Sequence, residues 1–291
     1  MNRLLVLTFS LATIPFITDA QSFYAIRRDR SLIFSAGTGT SSYFGELKDK
    51  GKVIGPNPRV NLNFGLQYFF TNRIAVRTEV GWFQLAGNDA SSVNKGRNLS
   101  FTSNCYEINA VGMVNLFPNG TRFYQRAPYN IYAFAGVGYL HMNPKAEYDG
   151  KKYALQPLRT ENVKYSREQF VIPFGLGARI KVTPFFNVAV EGGWRVTFTD
   201  YIDDVSTRYP DRSTWDPNSI RYKLTDRRSE IGLEDWPAGH KRGNPSKNDS
   251  YYLLTVKVEY YLPNNFIFGN NNSRKLYNQK RKSWSKRGRR R

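Results

Sequence analysis

From Val60 to Phe70 the chain puts an apolar side chain at every second position: Val60, Leu62, Phe64, Leu66, Tyr68 and Phe70 interleave with Asn61, Asn63, Gly65 and Gln67. A period of two sends successive side chains to opposite faces of an extended strand. After the short polar turn Thr71-Asn72 the pattern resumes, with Ile74, Val76, Thr78, Val80 and Trp82 against Ala75, Arg77, Glu79 and Gly81, which predicts a hairpin. The same alternation recurs over Tyr106–Leu116, Phe170–Val182, Val188–Phe198 and Tyr252–Leu262, and less strongly over Leu32–Thr40 and Asn130–His141. Each run is long enough for a tilted strand to cross a bilayer.

Beyond residue 20 no stretch of eighteen apolar residues occurs, so a membrane-spanning form of this chain needs a closed barrel. Composition agrees. Tyr and Phe are abundant, at 19 and 20, yet overall hydropathy is negative, as when lipid-facing and lumen-facing residues alternate. The expected fold is all-β, an eight-stranded antiparallel transmembrane barrel. Short connections near residues 72 and 184 and a medium one at 117–129 contrast with long segments at 41–58, 84–104, 142–168 and 199–249. That asymmetry predicts long extracellular loops, short periplasmic turns and both termini in the periplasm. A soluble β-sandwich is the structural rival.

Three regions follow. Residues 1–20 read as a signal peptide: Arg3 precedes the apolar Leu4–Ile17, and Thr18-Asp19-Ala20 offers a cleavage site. Residues 21–262 hold the barrel, and residues 263–291 form a basic tail without acids. The tail carries Arg274, Lys275, Lys280, Arg281, Lys282, Lys286, Arg287, Arg289, Arg290 and Arg291, half of the chain's net charge of +20, with Trp284 as an interfacial anchor. Such a block suits an acidic partner or an anionic leaflet. Export to the periplasm removes nucleic acid from consideration.

The predicted inward rows carry Arg77, Arg179, Lys181, Arg195 and Lys257 with Glu79, Glu107, Glu191 and Glu259. An eight-stranded barrel is just wide enough for side chains to fill, and buried charges need partners. The expectation is an ion-paired plug, with no channel and no catalytic residues. Glu191 near Arg195 admits an acid/base reading, and the two histidines, His141 and His240, leave a lipid-modifying enzyme or a surface adhesin as rivals. The single cysteine, Cys105, reads as a small semi-apolar residue at a strand start. Asp200, Asp203 and Asp204 cluster after the seventh strand, where they could cap turns or hold a cation, although an EF-hand's glycine and distal glutamate are missing. No cofactor is expected.

Ser42-Tyr43-Phe44-Gly45-Glu46-Leu47 and the stretch Gly193–Ser206, with Thr199, Asp200, Tyr201, Asp203, Asp204, Val205 and Ser206 as its most specific part, resemble the PorG-like outer-membrane proteins of Bacteroidetes type IX secretion. Pro144–Tyr148 with Leu155–Glu161, and Ile172–Gly177, fit the same pattern, so the resemblance spans most of residues 31–262. It implies a non-enzymatic barrel among outer-membrane lipids. Its implied partners are the periplasmic ring of a PorK-like lipoprotein and PorN-like subunits, in a machinery that exports proteins and in some species supports gliding.

Overall fold

A computed structural model of the chain describes residues 32–47, 59–91, 94–119 and 126–262. The expected signal peptide and basic tail lie outside the described residues. Eight long strands form the wall: β1 (Leu32–Phe44), β2 (Arg59–Phe69), β3 (Ile74–Asn88), β4 (Ser100–Asn115), β5 (Tyr129–His141), β8 (Glu168–Lys181), β9 (Phe186–Thr197) and β10 (Ser250–Tyr261). A small hairpin, β6 (Pro144–Tyr148) and β7 (Lys151–Ala154), follows β5. Every pairing is antiparallel, and because β10 pairs with β1 while β3 pairs with β4, the ring closes without an exposed edge. The expected eight-stranded barrel is the fold observed.

The two shortest turns share one device. Thr71 Oγ1 accepts hydrogen bonds from the amides of Arg73 and Ile74 at 3.2 and 2.9 Å, and Thr183 Oγ1 does the same for Phe185 and Phe186 at 3.2 and 3.0 Å. Phe117 against Tyr129 and Phe186 against Tyr260 pack beside this short-turn end, with ring centroids 5.5 and 4.8 Å apart. Toward the opposite end Phe44, Trp194 and Tyr252 form a second aromatic group. Between them the outer wall exposes Leu62, Phe64, Val80, Ile108, Val137, Leu176 and Val190. This apolar belt between aromatic girdles is the outer surface of a membrane-spanning barrel.

The wall continues past the belt, and there the alternation changes phase. Below Trp82 the inward residues of β3 are Arg77 and Glu79 and the outward ones Val76 and Val80; above it Phe83 and Leu85 are buried inside while Gln84 faces out. β4 mirrors this, with Phe101 and Cys105 buried and Asn104 exposed. About half of the expected loop 84–104 is therefore strand, paired from Phe83↔Cys105 to Asn88↔Ser100. The expected loop 142–168 likewise contains β6, which extends the sheet by pairing with β4. Cys105 lies within β4 rather than at its start, because the strand begins at Ser100.

These extensions enclose an apolar core of their own. Tyr43, Leu47, Phe83, Leu85, Leu99, Phe101, Leu140, Met142, Leu155, Ile202, Val205, Leu224 and Leu253 pack together as a cap over the barrel's long-loop end. Once the wall has left lipid its outer face meets water, so the apolar residues turn inward and bury one another.

Candidate functional site

Beneath the cap the lumen is filled with charge. The Arg77 guanidinium bonds Glu191 and also lies 3.0 Å from Glu79, while Lys257 Nζ joins Glu79 and lies 2.6 Å from Glu191. Tyr132 donates to Glu191 at 2.6 Å. One layer nearer the short turns, Arg179 donates to Glu259 at 2.8 Å and Asn187 to the other oxygen of that carboxylate at 2.9 Å. Toward the cap Arg195 lies 3.8 Å from Glu107, which accepts from Tyr251 at 2.6 Å. Glu191 thus partners Arg77 and Lys257, not Arg195. Lys181 stands apart and donates to the Arg126 carbonyl at 3.3 Å. An apolar patch of Ala75, Val111, Met113, Tyr132 and Phe134 shares the lumen, and Arg77 lies over the Phe134 ring at 5.4 Å.

At the long-loop end the two segments singled out in the sequence come together. Tyr43 ends β1 pointing inward, and its hydroxyl lies 2.8 Å from Asp203 Oδ2 and 2.7 Å from Asp249 Oδ1. Gly45 lets them meet: a Cβ there would sit 1.8 Å from the Tyr43 oxygen and 1.9 Å from Asp249 Oδ1. Glu46 follows, its Oε1 accepting from the Asn244 amide at 2.9 Å, and Leu47 is buried in the cap core beside Ile202 and Val205. The remaining carboxylate oxygens are held by the chain: Asp203 Oδ1 accepts from the Val205 amide and Asp249 Oδ2 from the Ile202 amide, both at 2.9 Å. Thr199 receives the Asp249 amide on its carbonyl, also at 2.9 Å.

The acidic run divides between two environments. Asp204, in the left-handed region at φ 66°, turns away from Asp203 and accepts from Tyr165 at 2.7 Å and from Thr160. Arg242 donates to Glu161 at 2.8 Å and to the Asp204 carbonyl at 2.6 Å, while Glu161 also takes the amides of Ser206 and Thr207. Tyr201 stacks on Tyr165 with centroids 4.8 Å apart. Burial pushes Asp204 up to about 6 even though the Arg242 charge opposes it. For Glu161 burial also pushes upward, but Arg242 and the Thr207 and Ser206 hydrogen bonds outweigh it and hold the carboxyl below its usual range.

Asp203 and Asp249 make no ion pair of this kind among the described residues, although the Arg97 charge partly opposes the rise of Asp203. Burial, reinforced by neighbouring carboxylates, raises both well above the ordinary aspartate value. Asp249, Glu161, Arg242 and Arg97 belong to this site but were not singled out as its residues. Glu161 closes one of the matched segments, whereas Asp249 and Arg242 sit in a polar stretch with no distinguishing pattern.

The histidines form no triad among the described residues. His141 Nδ1 lies 3.0 Å from Glu168, but the Ser166 hydroxyl donates to Glu168 at 3.3 Å rather than to the imidazole. His240 stacks on Trp236 at 3.7 Å.

A closed barrel with a lipid-facing belt, a charged lumen and a loop-built cap defines the class of small outer-membrane-type β-barrels. Within that class, residues 23–226 match the family model described as a domain of unknown function, DUF6089, and the chain belongs to that family. No curated protein matches it in sequence. Similar solved structures include neisserial surface protein A, 10% identical, covering 79% of this chain and 97% of that one with a TM-score of 0.41. Ail of Yersinia pestis, at 11% identity, covers 80% and 98% with a TM-score of 0.39. OprG of Pseudomonas aeruginosa, at 10%, covers 81% and 100% with a TM-score of 0.37.

Proposed function

We propose that this chain is a PorG-like component of the type IX protein secretion machinery, a non-enzymatic barrel that anchors the periplasmic ring to the outer membrane. The observation that carries this reading is the lumen: Arg77, Lys257, Glu79 and Glu191 interlock across it, which suits an anchor and not a conduit. The meeting of Tyr43, Gly45 and Glu46 with Asp203 supports it too, since the two segments behind the PorG-like resemblance are then parts of one construction.

On this reading the short turns and both termini face the periplasm, and the cap faces outward. The basic tail then meets acidic surface on the PorK-like lipoprotein or PorN-like subunits. Crosslinking in cells from the 117–129 turn and from the tail is expected to capture ring subunits, and deletion of residues 274–291 to weaken their co-purification. Capture of no ring subunit from either position overturns the assignment.

A further inference from the structure

We propose that Glu46, Asp203 and Asp249 form a binding site for a calcium-sized divalent cation, with Asp200 supplying further negative charge. One oxygen from each of the first three lies within 4.8 Å of the others, a span that two Ca–O bonds of about 2.3–2.6 Å can bridge. The donors are all hard oxygens, without nitrogen or sulfur, which suits calcium over zinc.

Charge accounting in the cap sets these acids apart. Asp89 pairs with Arg97, Glu161 and Asp204 share Arg242, and Asp226 faces Arg212. Glu46, Asp200, Asp203 and Asp249 make no ion pair among the described residues, and the Arg97 charge, already paired with Asp89, reaches Glu46 and Asp203 only from a distance. Asp203 and Asp249 are only 2% and 1% exposed, and uncompensated buried charge is costly.

Two further observations point to a missing ligand. Asp200 is 6% exposed, neither of its carboxylate oxygens makes a hydrogen bond of ordinary geometry, the Ser206 hydroxyl giving it only a weak one, and its charge acts on Glu46, Asp203 and Asp249. Glu46 Oε2 is also buried without a partner, although Oε1 is anchored to the Asn244 amide. Buried polar atoms are normally satisfied. Tyr43 adds a proton count: its single hydroxyl proton lies within reach of two carboxylates and can serve only one. A bound cation takes one oxygen from each of the three carboxylates as a ligand.

Terbium stands in for calcium in the test, because tyrosine beside a bound terbium ion sensitises its luminescence. Full-length protein in detergent is titrated with terbium and then with calcium. The expected result is a saturable signal at one ion per chain, displaced by calcium and weakened at least about tenfold by Glu46→Gln and by Asp203→Asn. Glu147→Gln, on the exposed hairpin, leaves it unchanged. Heat-modifiable gel migration reports a folded barrel in each case, and Glu46, the less buried ligand, keeps the test open if Asp203→Asn fails to fold. Folded protein without a saturable signal means that protons alone fill the cluster, and overturns the proposal. Binding that survives both substitutions overturns it as well.

Discussion

Single atoms decide the geometry of the cap. Gly45→Ala drives a methyl group into Tyr43 and Asp249, and such overpacking costs about 1–3 kcal/mol, so the cap of this variant should become protease-sensitive while the barrel stays heat-modifiable. Arg242→Ala is more severe. It leaves Glu161 and Asp204 buried without their cation, a loss of about 3–5 kcal/mol, visible as early cleavage within 199–249. The same pair sets an acid limit. Glu161 is held below its ordinary value by Arg242, Thr207 and Ser206, with Asp200, Asp204 and Tyr201 the other titratable groups facing it. A depressed carboxyl lends stability that is present above its unfolded value of 4.5 and lost as pH falls through the folded one. The Glu161 contribution is therefore expected to fall away below about pH 4.5, opposed by Asp204, whose raised carboxyl adds stability as pH falls through about 6; proteolysis along an acid titration of the protein and of Glu161→Gln would separate the two.

Each strand within the belt was readable from alternation alone, because lipid outside and charge inside enforce one phase: Val76, Thr78 and Val80 outward, Arg77 and Glu79 inward. The same rule failed beyond Trp82. There the solvent changes from lipid to water and the apolar phase reverses, so a strand that continues unbroken to Asn88 reads as though it had stopped. The cap site was half legible. Tyr43, Gly45 and the Asp200–Asp204 run were singled out in the sequence, but Asp249 and Arg242 acquire their roles only through contacts across more than thirty-five positions. Alternation also says nothing about what pins a turn. Thr71→Ala and Thr183→Ala each remove an acceptor for two turn amides and should cost about 1 kcal/mol apiece, additively in a double variant because the two hairpins lie apart in the ring. Urea unfolding in bilayers would measure both.

At the scale of the whole molecule, a stack of three environments replaces a single core: lipid belt, ionic lumen and apolar cap. Leu176→Arg in the belt should cost about 2–4 kcal/mol in bilayer folding, whereas Leu233→Arg in the cap loops should fall within about 0.5 kcal/mol. Equal costs at the two positions would argue against a belt in lipid. The cap also ties the two ends of the wall together. Tyr43 closes the first strand, Asp249 immediately precedes the last, and these neighbours in the ring are 206 positions apart in the chain. Until the final strand has zipped against the first, Asp249 cannot reach Tyr43 and the carboxylate cluster does not exist. The cluster is thus a seal set on the seam, and only a fully inserted barrel can carry it.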